Sequence, residues 1–402
     1  MNLKLLYGED FNQEKHEKRV KELQKRFFAS EKQHATHLFS SPGRAEILGN
    51  HTDHNHGKVI VSSISCDILA AVAKTNDNKI KILSEGYPGV VVDINKTAPD
   101  KKEYNTSHAL VKGVVNKLLE KGYNIGGFTA YTHSGIFKGA GVSSSAAFEV
   151  LICEIFNFYY LDGKLSKLDK AKISQYAENV YFGKPCGLLD QCGISFGGMN
   201  KIDFKDTVKC SALSPVKGYR LIITNTGGDH ADLTAHYGAV KSEMKSVAWY
   251  FNAQVLREVN EKAFYPEIKN LKNKFGGRAV LRAVHFFEEN KRVDIAAKAL
   301  ASGDVKTFLS CVDGSGQSSY EYLQNCYVEG DKEQNIPVAL ALSKKIISDG
   351  AVRIHGGGFK GTILAFVKNE EAAEYIKQMQ RVFSKENVFA ASVRSVGTTV
   401  IK

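Results

Sequence analysis

Four short segments of this 402-residue chain gather the residue types that do chemistry. One runs Gly139, Ala140, Gly141, Val142, Ser143, Ser144, Ser145, Ala146, Ala147, between a segment with the pattern of a strand (126–133) and a long, strongly apolar helical segment (144–160). Glycine lets a backbone approach an anion, and the first turn of a helix offers unpaired N–H groups and the positive end of its dipole. Serine hydroxyls at that point cap the helix, meet phosphate oxygens or hold Mg²⁺. A plain capped helix uses the same residues, and the pattern GxxxxGK[ST] is absent, which excludes a P-loop.

A second glycine turn, Gly356, Gly357, Gly358, Phe359, Lys360, Gly361, lies between two apolar strand-like runs, where glycine serves either a hairpin or close approach of a ligand. The stretch from Ser41 to Gly57 (SPGRAEILGNHTDHNHG) is dense in polar groups between structured regions. Its His51, Asp53, His54 and His56 are the types that ligate zinc or iron, as a metal-dependent hydrolase would need. The same acceptors and donors suit the many hydroxyls of a sugar, for which an unpaired polar partner is costly. Nothing elsewhere in the chain supplies a matching ligand set. The fourth segment, Pro185 to Gln191 (PCGLLDQ), places Asp190 after a tight turn in an apolar neighbourhood. Such a carboxylate either caps the next helix or acts as a general base.

The elements that must position these segments are mixed. Residues 11–28 have the spacing of an exposed amphipathic helix with no chemistry of its own, and 58–75, 79–83 and 90–94 alternate as strands. Helices are expected over 107–121, 168–181, about Leu233 to Glu261, most of 262–350, and 371–383. Strands are expected over 221–226, on either side of the second glycine turn, and over 387–401. Strands mixed with separate helices indicate an α+β protein, and the length favours two domains, divided here at 1–210 and 211–402.

Lysines are spread along the chain rather than gathered, so the net charge of +11 reads as a solvated basic surface that attracts anionic substrates, not as a nucleic-acid site. No run is long and apolar enough for a membrane span, and the start has no signal-peptide pattern. Seven scattered cysteines without a CxxC pair suit a reduced compartment, so a cytoplasmic protein is expected. Small molecules are its expected partners, and it is taken as a monomer although the sequence does not give the oligomeric state.

Taken together and in order, the four segments resemble the GHMP kinase superfamily and, within it, the galactokinase family. PGRxxxxGxHTDxNxG looks like the family's sugar signature, GAGVSSSA like its ATP loop, CGLLDQ like the segment of its catalytic aspartate, and GGGFKGTILAFV like its third motif. Thr224, Asn225, His230 and Tyr237 keep the spacing of a fifth family segment. The resemblance implies a two-domain GHMP kinase fold, with an N-terminal α+β domain, a C-terminal ferredoxin-like domain and the site between them. It implies ATP-dependent phosphorylation of the anomeric hydroxyl of a galactose-like sugar, with ATP and Mg²⁺.

Position by position, the resemblance makes Asp190 the base and Arg44 its partner. Gly139, Ala140, Gly141, Ser143, Ser144 and Ser145 would cradle phosphates, and Ser145 with Glu178 would hold Mg²⁺. Asn50, His51, Asp53, Gly187, Asp190 and Tyr237 would line the sugar site. Departures are informative: where the family reads GRVNLIGEHTDYN, this chain has Glu46 for the Asn, Asn50 for the Glu and His54 for the Tyr. Val240 and Lys241 replace a basic pair, and Phe137 replaces the proline before the ATP loop. Because an amide both donates and accepts, Asn50 leaves room for a sugar altered at its sixth carbon, such as galacturonate. Galactose is the expected substrate, giving galactose 1-phosphate; the alternatives are a related sugar, N-acetylgalactosamine included, and a non-catalytic sensor of sugar and ATP on the same fold, which tends to lose the ATP-loop or base residues that this chain keeps.

Overall fold

Two sheets divide the work of positioning the site. The structure, a computed structural model, describes residues 3–136, 141–227 and 233–401. After a short helix α1 (Lys4–Tyr7), helix α2 (Gln13–Glu31) begins where Asn12 accepts a hydrogen bond from the Lys15 amide at 2.9 Å. Its apolar stripe is not free: Leu23 and Phe27 are buried against Leu69, Ala71 and Ala73.

Leu69 and those alanines belong to β2 (Lys58–Lys74), which is buried along nearly its whole length, its central Ser62, Ser63 and Asp67 included. Strand β1 (His37–Leu48) pairs antiparallel along it. The C-terminal half of β2 pairs with β5 (Phe128–Ser134), which carries β3 (Lys79–Ser84) in parallel and then β4 (Val90–Asp93). The other half of β2 pairs with β6 (Met199–Asp203), followed by β7 (Lys209–Leu213). Helix α3 (Ser107–Glu120) and the apolar α4 (Ser144–Tyr160) bury Val111, Val114, Val150, Leu151, Ile155 and Phe156 in the main core. Helix α5 (Lys167–Tyr176) and helix α6 (Leu189–Phe196) complete this region.

The second sheet contains β8 (Tyr219–Asn225), β9 (Gly350–His355), β10 (Thr362–Lys368) and β11 (Val388–Ala391) in the order β11-β8-β10-β9, all antiparallel. Its helical insert between β8 and β9 includes α7 (Thr234–Tyr250), α8 (Glu261–Phe264), α9 (Ile268–Phe275), α10 (Gly277–Ser302) and α11 (Val305–Ser318), ending in α12 (Asn335–Ile346). Helices α12 and α13 (Ala372–Phe383) pack Ile336, Leu340, Tyr375 and Met379 against Ile354, Ile363 and Val367. This is the ferredoxin-like arrangement, and with the mixed first sheet and its separate helices the chain is α+β, as expected.

Several elements differ from the sequence reading. Residues 37–48 form a strand that the polar composition conceals, because Pro42 and Gly43 lie at a register shift where a strand tolerates both. The helix expected over 233–261 ends at Tyr250, where Asn252 takes a left-handed conformation (φ 57°). The strand expected over 387–401 is two strands in different sheets. Strand β12 (Thr399–Ile401) pairs with β1 at Leu38–Ile401, so the end of the chain returns to the first sheet.

Candidate active site

Strand β1 delivers Arg44 to the start of α4. The Arg44 amide donates to the Val142 carbonyl at 3.2 Å, and Gly43 permits the approach, since a Cβ there would stand 3.1 Å from the same oxygen. Arg44 is buried, its Nε donates to Asp190 Oδ1 at 2.7 Å, and its Nη1 donates to the Gly141 carbonyl at 2.5 Å. One guanidinium therefore ties the carboxylate at the first turn of α6 to the glycine-serine loop.

Ser143 closes the triangle. It stands at the N-terminal end of α4 in a left-handed conformation (φ 60°) with no capping bond, and its hydroxyl donates instead to Asp190 Oδ2. Such strain in a non-glycine residue is characteristic of functional sites. The first amides of α4 thus lack a side-chain cap, as an anion site at a helix start requires. Burial opposes ionisation of Asp190, but the Arg44 charge and the bonds from Arg44 and Ser143 outweigh it and hold the carboxyl below its usual range. Gly141 takes a left-handed conformation (φ 63°) that strains any side chain, and a Cβ there would press on Thr362 Oγ1 at 3.1 Å. Gly139, Ala140, Phe137 and His230 lie outside the described residues.

The polar stretch after β1 folds onto the second glycine turn. Asn50 Nδ2 donates to the Gly356 carbonyl at 2.8 Å, the His51 ring meets the Gly357 carbonyl through Nε2 at 2.8 Å, and the Tyr237 hydroxyl donates to the Gly358 carbonyl at 3.1 Å. Three successive carbonyls are thus held by three residues of the expected sugar set. Burial lowers His51 to about 4 and lifts the Tyr237 phenol to about 12, so both are neutral at pH 7. Asn50 is fully buried and its amide is committed to protein: Nδ2 also meets Glu46 Oε1 at 2.7 Å, and Oδ1 accepts from Asn325 Nδ2 at 2.8 Å.

Asp53 reaches the turn before α6. Its Oδ1 accepts from the His54 amide at 2.8 Å and its Oδ2 from the Leu189 amide at 3.4 Å. Gly187 makes this possible, because a Cβ there would fall 1.7 Å from Asp53 Oδ2. Burial, reinforced by the Asp190 charge, raises the Asp53 carboxyl. The histidines do not converge on a metal, and no group of three or more His, Cys, Asp and Glu is arranged to hold one among the described residues. His54 Nδ1 instead meets Asn55 Nδ2 at 2.9 Å.

Glu178 is carried by a π-helical turn (Ala177–Phe182) that continues α5. Such turns inside helices recur at functional sites. Its Oε1 accepts from Ser145 Oγ at 3.0 Å. Two oxygen donors at the start of α4 fit Mg²⁺, a hard cation held by few protein ligands together with phosphates and water.

The model for the GHMP kinase N-terminal domain matches residues 109–198, and that for the galactokinase galactose-binding signature matches residues 23–74. The galactokinase of Clostridium acetobutylicum is 30% identical over 368 residues, covering 88% of this chain and 91% of that protein. This chain belongs to the galactokinase family. The galactokinase of Clostridium tetani is 29% identical over 376 residues, covering 91% of this chain and 93% of that relative. Among solved structures, the fold matches Lactococcus lactis galactokinase complexed with galactose at a TM-score of 0.83 and 24% identity, over 95% of this chain and 99% of that one. It also matches Methanococcus jannaschii mevalonate kinase at 0.64 and 14%, over 89% and 98%.

Some neighbours of the site are invisible in the chain alone. Glu149, on α4 near Glu178, is fully buried, and burial followed by the Glu178 charge pushes its carboxyl well up. His355 and Arg353 approach from β9: His355 Nε2 accepts from the Glu46 amide at 3.1 Å, and Arg353 Nη2 lies 3.5 Å from Glu46 Oε1. The strand pattern of AVRIH hides both, because alternation predicts burial but not partners.

Proposed function

We propose that this galactokinase-family protein transfers the γ-phosphoryl group of ATP to the anomeric hydroxyl of galactose, giving galactose 1-phosphate and ADP. The observation that carries the reading is the triangle of Arg44, Asp190 and Ser143 at the start of α4. The hydroxyl oxygen forms a bond to the γ-phosphorus while the bond from that phosphorus to the bridging oxygen of ADP breaks. The hydroxyl proton passes to Asp190. Asp190 is a weak base, because Arg44 keeps it ionised, so its contribution is chiefly to hold the hydroxyl in line and accept the proton as charge leaves the oxygen. Arg44 offsets charge on the transferring group.

Gly139, Ala140, Gly141 and Ser143 to Ser145 cradle the phosphates in this reading. Ser145 and Glu178 hold Mg²⁺, which would supply charge neutralisation on the phosphate oxygens when bound. Asn50, His51, Asp53, Gly187 and Tyr237 build the sugar side, Asn50 from behind by fixing the second glycine turn. Residues 1–210 carry the phosphate loop and base and 211–402 the second glycine turn, with the substrates meeting between them. No helix among the described residues is long and apolar enough to cross a membrane, and the seven cysteines are unpaired, which supports a cytoplasmic setting.

The test is ADP release with Mg²⁺, ATP and a panel of galactose, N-acetylgalactosamine, galacturonate, glucose and mannose. Galactose is expected to give the strongest turnover. Silence across the panel, or turnover with galacturonate and not galactose, would overturn the assignment.

A further inference from the structure

Lys184 sits in the turn between the helix of Glu178 and the helix of Asp190, outside both the Arg44–Asp190–Ser143 triangle and the sugar side. Glu178 is 2% exposed, and its two oxygens are held differently. Oε2 accepts from Gln191 Nε2 at 2.8 Å and from the Cys186 thiol at 3.4 Å, which fixes the carboxylate plane. Oε1 accepts from Ser145 Oγ at 3.0 Å and from Lys184 Nζ at 3.2 Å. The ammonium thus stands on the very oxygen that a cation shared by Ser145 and Glu178 would use.

The turn is built to bring it there. Gly183 takes a left-handed conformation (φ 80°), and the Lys184 amide donates to the Glu178 carbonyl at 3.1 Å, folding the chain back over the carboxylate. A buried carboxylate with no opposite charge is costly, and its neighbour Glu149 offers none. Yet the Lys184 side chain is 60% exposed, a compact charge on a flexible stem that can withdraw without disturbing the core.

We infer that Lys184 is a resident counter-ion for the Ser145–Glu178 oxygens, which yields that position to a divalent cation and turns to the nucleotide phosphates. The inference rests on the proposed reading of Ser145 and Glu178 as the metal pair. Two cations on one carboxylate oxygen repel, so occupation by one displaces the other, and the nearest strong anion is then phosphate. Lys184 is a positioning residue in this scheme: its bond to Oε1 holds the Glu178 carboxylate aimed at Ser145 before substrate arrives.

The experiment titrates Mn²⁺ alone, and separately ADP in excess chelator, into the full-length protein by calorimetry. Lys184→Met is expected to bind Mn²⁺ about fivefold more tightly than the unmodified protein and metal-free ADP about fivefold more weakly, the scale of one partly exposed ion pair. Lys184→Arg is expected to restore ADP binding. Affinities of Lys184→Met within twofold of the unmodified protein for both ligands, with Mn²⁺ binding abolished in Glu178→Gln, would overturn the role of Lys184 alone. Unchanged Mn²⁺ binding in Glu178→Gln would instead overturn the metal pair, and the inference with it.

Discussion

Arg44 Nε donates to Asp190 Oδ1 at 2.7 Å while the same guanidinium reaches the Gly141 carbonyl, so the base and the phosphate loop share one fixed charge. The pairing sets two different mutant signatures. Asp190→Asn keeps the shape and the Ser143 contact but removes the proton acceptor, and turnover is expected to fall about a hundred- to ten-thousandfold with ADP affinity changed less than threefold. Arg44→Ala leaves Asp190 buried without its partner and is expected to lower both turnover and melting temperature. Steady-state kinetics with calorimetric ADP binding separates the two. Near-normal turnover in Asp190→Asn removes it as the base.

Gly187 and Asp53 make a second prediction. With a Cβ at 187 falling 1.7 Å from Asp53 Oδ2, Gly187→Ala must push the carboxylate off the Leu189 amide. If Asp53 meets sugar hydroxyls, KM for galactose rises at least about tenfold, some 1.4 kcal/mol, while KM for ATP stays within about twofold. Equal rises in both constants would assign Asp53 to general architecture rather than to the sugar.

How much of this is legible without the structure follows from which signals glycine, serine and proline leave. The glycine-serine loop and the turn before Asp190 stand out because they punctuate apolar elements, and Ser143, Ser145 and Asp190 do lie together. Strand β1 is hidden, because Pro42 and Gly43 read as loop residues unless the register shift that accommodates them is known. Glu178 sits inside a continuous helical pattern, and a π-helical turn leaves the polar spacing almost unchanged, so only family likeness marks it. Asn50 is expected from its motif to face substrate, whereas its amide faces Glu46, Asn325 and Gly356; a buried polar network cannot be read from composition.

Glu46 and Asn50 supply the third prediction. Relative to the family pattern their carboxylate and amide have changed places, and they bond to each other at 2.7 Å in the core. Asn50→Glu alone sets two buried carboxylates side by side and is expected to cost about 3–5 kcal/mol. The double change Glu46→Asn with Asn50→Glu restores one carboxylate and one amide and is expected to recover most of that loss. Urea midpoints of the three proteins test it, and a double variant no more stable than Asn50→Glu would show that the pair is not interchangeable.

The last prediction concerns acid. Glu289 on α10 is fully buried, accepts from the Gly49 amide at 2.9 Å and meets Ser315 and Arg292, thereby bracing the loop that presents Asn50 and His51. Burial opposes its ionisation but is outweighed by His285, Arg292, Arg353 and the Ser315 hydroxyl, which lower it from 4.5 to about 2. A carboxyl lowered on folding stabilises the native state above its unfolded value, and the contribution is lost as pH falls through the folded value. Glu289 is therefore expected to contribute about 3 kcal/mol at pH 7, retained down to about pH 4.5 and lost between there and about pH 2. Glu289→Gln should be less stable than the unmodified protein at pH 7, and the gap should close across that acid window. A gap that stays constant from pH 7 to pH 2 would mean that shape, not charge, is what Glu289 provides.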